Sequence, residues 1–162
     1  MDVDEQGLKL LLDLADLGIE FIVVGGAAAV LQGAPVVTQD IDIVPRREPD
    51  NATKLHDFLQ SIHAYHRDLT NRRLPPRREL LLGHGHLLFS TDLGPFDVLC
   101  ELGIGEGYEQ LIDDSPQVEI AGRQVHVLGL SRLIAVKTAA NRAKDRMVLP
   151  LLIATLEEKQ RK

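Results

Sequence analysis

The sequence predicts an α/β (α+β) fold, a mixed β-sheet with flanking helices. Three observations carry that prediction. Stretches with apolar residues at helical spacing alternate with short apolar runs suited to buried strands. The run Phe21-Ile-Val-Val ends at Gly25-Gly26 and gives way at once to an alanine-rich segment. Two later pairs of strand-like segments are joined by turn residues, Leu93-Gly94-Pro95 and Ala121-Gly122-Arg123.

The elements follow in order. From about Glu5 to Leu17, Leu8, Leu11, Leu12 and Ala15 recur at helical spacing, and Gly18 supplies a stop. Phe21 to Val24 reads as a buried strand, and Ala27 to Leu31 as a short helix closing near Gly33. Asp40 to Val44 reads as the second strand, ended by Pro45. Asp50 or Asn51 is expected to cap a helix whose stripe is Leu55, Phe58, Leu59 and Ile62. Arg67 to Arg78, with Pro75 and Pro76, reads as a loop. His86 to Thr91 and Phe96 to Cys100 form one strand pair, Gln117 to Ile120 and Gln124 to Leu128 another. Ser131 is expected to cap a helix to about Asn141, and a last helix fills most of the remainder.

Composition sets outer bounds. A chain of 162 residues is expected to form one domain spanning 1–162, with a substantial core. Its formal charge of −6 argues against a general nucleic-acid coat, although a local basic groove stays open. A single cysteine, Cys100, has no internal disulfide partner and suits a reducing compartment. The acidic start at Asp2, Asp4 and Glu5 does not resemble a signal peptide. No apolar run approaches the ~20 residues a membrane span needs. A cytoplasmic protein without a membrane partner is the expectation.

The most informative chemistry lies in Gly25-Gly26 and Thr38-Gln-Asp40-Ile-Asp42-Ile-Val44. In a strand, Asp40 and Asp42 project from one face, with Ile41 and Ile43 on the other. Two carboxylates held so close repel each other unless a cation sits between them. The glycine pair lets the backbone turn sharply from strand to helix and exposes N–H groups suited to phosphate. A phosphate cradle beside a divalent-metal clamp reads as phosphoryl or nucleotidyl transfer. The plainer readings are a strand-to-helix turn for the glycines and a solvated edge strand for the aspartates.

A glycine pair, a spacer of thirteen residues and then Asp-x-Asp resembles the signature of the polymerase-beta-like nucleotidyltransferase superfamily. That family takes a third carboxylate from a later strand, and Asp97 in Gly94-Pro-Phe-Asp97-Val-Leu matches it. Burying such a carboxylate as plain core would cost several kcal/mol. The stretch Lys137-Thr-Ala-Ala-Asn-Arg142-Ala-Lys144-Asp145 resembles small bacterial nucleotidyltransferases related to the abortive-infection (AbiE-type) toxins. The resemblance runs from about Phe21 to Asp145 and implies the nucleotidyltransferase fold. It also implies two Mg²⁺ ions on Asp40, Asp42 and Asp97, and a nucleoside triphosphate such as ATP as substrate. Gly25, Gly26, Thr38 and Lys144 would contact the triphosphate, and Lys137 would join the catalytic set. Acceptors within the superfamily include antibiotic hydroxyls, protein side chains and transfer-RNA ends. The toxin-like branch adds an antitoxin partner in a toxin–antitoxin setting. Regions of the size of polymerase fingers and thumb are missing, so a template-directed polymerase is excluded. A domain that binds nucleotide or a partner without turnover is the alternative from another class.

The remaining charged residues divide less cleanly. On a helical wheel of ~100° per residue, Lys137 lies inside the stripe Leu130, Leu133, Ile134 and Ala140. It either snorkels past the core edge or meets phosphate. Arg142 falls on the opposite face of that wheel, Lys144 returns to the Lys137 face, and Asp145 is expected to cap the last helix. Arg67, Arg72, Arg73, Arg77 and Arg78 form either a solvated loop or a site for triphosphate or an RNA backbone. His84 and His86 have same-face spacing but lack further ligands for zinc. His63 and His66 sit at a helix end, where positive charge is favoured.

Overall fold

The computed structural model describes residues 3–103 and 105–161. Its centre is a strand that can touch water on neither face. β1 (Phe21–Val24) has all four residues buried, so it needs cover on both sides. It pairs antiparallel with β2 (Ile41–Pro45) and parallel with β7 (Arg123–Val127). β2 pairs parallel with β5 (Phe96–Leu99), and β5 pairs antiparallel with β4 (His86–Ser90). The edges are the two-residue β3 (Tyr65–His66) and β6 (Gln117–Ile120). The order is β3-β4-β5-β2-β1-β7-β6, a seven-stranded sheet that is mixed as expected, with β3 added to the six expected strands. β2 begins at Ile41, so Asp40 stands just ahead of the strand rather than inside it.

The helices use the local chemistry of their ends. α1 (Glu5–Asp16) is capped by Asp4, whose Oδ1 accepts from Gly7 N at 2.7 Å. It stops at Gly18, which takes φ +72 while Ile19 N donates to Leu14 O at 3.2 Å. Leu10, Leu11 and Leu14 are fully buried. α2 (Gly25–Leu31) starts directly after β1 and buries Ala27, Ala28 and Ala29. The cap of α3 (Pro49–Ser61) is Glu48, not Asp50 or Asn51; its carboxylate accepts from both of their amides at 3.1 Å. Pro49 fills the first helical position, which puts the cap at Glu48, two residues before Asp50 and three before Asn51.

Asn51 has a different task. Its Oδ1 accepts from Glu20 N at 2.8 Å, and its Nδ2 donates to Glu20 O and Arg46 O at 2.9 Å. That bridge ties α3 to the ends of β1 and β2. The hairpin between β6 and β7 turns through Ala121 and Gly122, both at positive φ, as a tight two-residue turn requires. α4 (Tyr108–Leu111), β3 and the 3-10 turn Arg78–Leu82 are too short to show a period and escape the sequence reading. α5 (Leu130–Ala140) is capped at Gly129, two positions before the expected Ser131. α6 (Ala143–Gln160) packs against it.

Asn51→Ala should lower the unfolding free energy by about 2–3 kcal/mol, because a buried amide and two carbonyls lose their partner. Urea unfolding measures it. A loss below about 1 kcal/mol would show that water replaces the side chain.

Candidate active site

Strand register creates the site. Val24 lies opposite Asp42, and Asp42 lies opposite Asp97, so the glycine turn and two carboxylates form a row across three strands. Residues in register project from the same face, which sets Asp42 and Asp97 side by side.

The glycines make room for the carboxylate row. Gly25 takes φ +64, and a Cβ there would lie 2.5 Å from Asp42 Oδ2. A Cβ on Gly26 would lie 2.9 Å from Thr38 Oγ1. Thr38 in turn donates from Oγ1 to the Asp40 carbonyl at 3.2 Å. The pair therefore does more than bend the chain: it lets two side chains close over the start of α2.

Asp42 carries the strain of this arrangement. Burial, followed by the Asp97 and Asp40 carboxylates, pushes its pKa up to about 7, with the Lys137 ammonium acting in the opposite sense. Its Oδ1 is buried and has no hydrogen-bond partner. Asp97, by contrast, accepts on Oδ1 from the guanidinium of Arg67. Asp40 is exposed at the mouth.

Asp40, Asp42, Gly25, Gly26, Thr38, Lys137 and Lys144 all line one cleft of about 270 Å³. Leu99, Leu102, Val136 and Val148 supply an apolar wall. Asp97 is not among the lining residues; it stands one strand away. Among the described residues, no three His, Cys, Asp or Glu side chains gather into a metal cage. An orphaned carboxylate oxygen with a second carboxylate beside it does fit a divalent cation. Mg²⁺ commonly takes one or two protein carboxylates and completes its shell with water and substrate phosphate.

The cationic wall departs from the wheel. α5 ends at Ala140, and Asn141 adopts the left-handed conformation at φ 49, ψ 36. The chain then turns into α6, which brings Arg142 back to the cleft rather than away from it. Asp145 is fully buried. It accepts from Lys137 Nζ at 3.3 Å and from Arg142 Nε at 2.7 Å. It also accepts from Arg142 N at 3.1 Å, which makes it part of the helix start as expected. The Arg142 guanidinium holds its pKa down to about 2. A left-handed residue ending α5 was the missed signal; asparagine is among the few residues that tolerate it.

Of the five loop arginines, Arg67, Arg72 and Arg73 border one pocket with Tyr65 and Asp68, and Arg77 and Arg78 lie outside it. Arg72 pairs with Asp68 at 2.7 Å, and Arg78 donates to Thr53 Oγ1 and Pro49 O. Arg77 lies 3.9 Å from Glu79, and Arg73 stacks over Tyr65 at 4.6 Å. Of the five, Arg67 is the one bound to a carboxylate of the row. His84 meets Arg47 and the Glu101 carboxylate, His86 the Glu101 carbonyl, and His63 pairs with Asp92. His66 packs on Phe89 in β3.

No family model and no curated protein matches the sequence. Solved structures do. A presumed nucleotidyltransferase from Thermotoga maritima superposes with a TM-score of 0.58 at 17% identity. That match covers 91% of this chain and 92% of the other. The lincosamide antibiotic adenylyltransferase LnuA, with lincomycin bound, superposes with a TM-score of 0.61 at 15% identity. There the match covers 96% of this chain and 99% of LnuA. The chain has the nucleotidyltransferase fold. In that fold the row of Asp42 and Asp97 and the glycine turn occupy the middle of the sheet.

Two outcomes test this geometry. Folded Asp42 keeps its proton up to about pH 7, while the unfolded chain loses it near 3.8. Metal-free stability should therefore fall as pH rises between those values, by up to ~1.4 kcal/mol per unit, and level off above. Asp42→Asn should remove that loss; chemical unfolding at pH 5 and pH 8 compares the two proteins. Separately, Gly25→Ala should destabilise by more than Gly33→Ala. Both glycines have positive φ, but only Gly25 faces Asp42, whereas Gly33 faces open space. Equal losses would mean that backbone strain alone, about 1–2 kcal/mol, accounts for both.

Proposed function

We propose that this protein is a metal-dependent nucleotidyltransferase that moves a nucleoside monophosphate from a nucleoside triphosphate to a hydroxyl acceptor. One observation carries the reading: a buried, partnerless Asp42 oxygen beside a glycine turn, in a cleft walled by Lys137, Arg142 and Lys144. Asp40 and Asp42 would hold the divalent ions, with Asp97 as the third carboxylate. Such ions supply positive charge to a triphosphate and acidify an attacking hydroxyl.

The residues of the chain then have separable tasks. Gly25 and Gly26 let the triphosphate approach the backbone, and Thr38 borders it. Lys137, Arg142 and Lys144 face the negative charge that moves onto the leaving group. The acceptor oxygen bonds to the α-phosphorus as the α–β phosphoanhydride bond breaks. Asp97 takes the hydroxyl proton, and pyrophosphate leaves. The apolar wall excludes water, which would otherwise compete as acceptor.

Transfer RNA or protein is the proposed acceptor, in a toxin–antitoxin setting with an antitoxin partner. The likeness to LnuA over nearly the whole of both chains supports a second reading, an antibiotic hydroxyl. A cytoplasmic setting rests on the lone buried Cys100; among the described residues no helix is long and apolar enough to cross a membrane.

The test incubates the protein and Mg²⁺ with each α-labelled triphosphate and total transfer RNA, protein extract or lincomycin. Wild type should label one acceptor, and Asp42→Asn should lose at least ~100-fold of that activity, the scale of removing one charge-stabilising group. Lys137→Met and Arg142→Gln should each lose more than ~10-fold. Metal-dependent triphosphate binding with no label on any acceptor would replace the enzyme by a non-catalytic binding domain.

A further inference from the structure

Two carboxylates stand side by side in the sheet, and the protein treats them differently. Asp42 Oδ1 is buried without a partner. Asp97, whose side chain is 14% exposed, is bound by Arg67. Arg67 is firmly placed for this. Its backbone N donates to Leu88 O at 2.9 Å, and its Nη1 donates to Phe89 O at 3.0 Å. Nη2 then donates to Asp97 Oδ1. With its main chain held by Leu88 and its guanidinium by Phe89, the Arg67 side chain is aimed, not loosely solvated. Leu88 and Phe89 lie opposite Asp97 and Phe96 on the neighbouring strand, so the sheet itself delivers the charge.

The geometry points to Arg67 as a built-in counter-cation that takes the place of a second divalent ion at Asp97. The nucleotide-free site then binds one ion, at Asp40 and Asp42, and Asp97 joins the coordination only when Arg67 releases it. Arg67 is a positioning residue that acts through Asp97. This rests on the metal-dependent reading above. It accounts for an arginine pairing with one carboxylate of the row while the adjacent Asp42 keeps an unpartnered oxygen. The other four loop arginines have different partners: Arg72 pairs with Asp68, Arg73 stacks on Tyr65, Arg77 lies beside Glu79 and Arg78 donates to Thr53.

The experiment titrates the full chain with Mn²⁺ alone, followed by calorimetry. Wild type should bind one ion. Arg67→Met should bind a second ion, with an affinity at least about tenfold above any residual second-site binding in wild type, the lower end of what an adjacent guanidinium does to a carboxylate. Arg67→Lys, which keeps the charge, should restore the single ion. Asp97→Asn should bind the first ion no more weakly than wild type, and it decides the matter if Arg67→Met fails to fold. One ion of wild-type affinity in Arg67→Met, or a weakened first ion in Asp97→Asn, overturns the role given to Arg67 while the metal reading stands. No Mn²⁺ binding by wild type or any variant overturns both.

Discussion

The buried carboxyl of Asp42 is the constraint around which the middle of this sheet is built. Its strand position is fixed by pairing on both sides, Val24 on one and Asp97 on the other. The Asp42 backbone is therefore held between its two neighbours, with its carboxylate in the row. It can be housed only because Gly25 has no Cβ, the nearest point of which would sit 2.5 Å from Asp42 Oδ2. A protein selected for stability alone would place an apolar β-branched residue here. The cost of a raised pKa and an unpaired oxygen is the kind of local strain that collects at functional sites.

The neighbouring carboxylates show that the chain can neutralise buried acids when nothing else depends on them. Asp145 is fully enclosed, yet Lys137 and Arg142 both donate to it. Removing one member of such a buried set typically costs 3–5 kcal/mol, because it leaves a charge uncompensated. The arrangement also fixes the two cations in place, so little side-chain entropy remains to be lost when an anion arrives. Asp97 receives the same treatment from Arg67. Among the described residues, Asp42 is the one with a buried side-chain oxygen left without a partner.

Much of this was legible in the residues. The apolar run Phe21–Val24, the stop at Gly18 and the Ala121-Gly122 turn rest on local backbone rules, and each appears in the structure at its expected place. The motif Asp-x-Asp sits at the sheet's centre, although Asp40 falls just before the strand. What sequence could not give depends on contacts distant along the chain. Arg67 and Asp97 are separated by 30 residues, and no periodicity links them. The direction of Arg142 was misjudged because a wheel assumes one continuous helix. Asn141 at φ 49 ends that helix one residue before Arg142 begins the next, and the rotation is lost there. The cap at Glu48 was hidden by Pro49, and β3 is too short to carry a pattern.

The two extreme carboxylates of the cleft region also sort the candidate residues by role. Asp145 is driven down to about 2 by Arg142, and Asp42 is driven up to about 7 by burial and by other carboxylates. At neutral pH the first is a settled anion with its charge already spent on Lys137 and Arg142. The second lies near its midpoint, so small changes in nearby positive charge decide whether it is ionised. A cation arriving beside Asp42 would release its proton and remove the repulsion from Asp97 and Asp40 at the same time. No comparable gain is open to Asp145, whose partners would have to be displaced first. Pairs of acids whose surroundings push them apart in this way have distinct tasks. Here the division places structure at Asp145 and ligand chemistry at Asp42, on opposite sides of the same cationic wall.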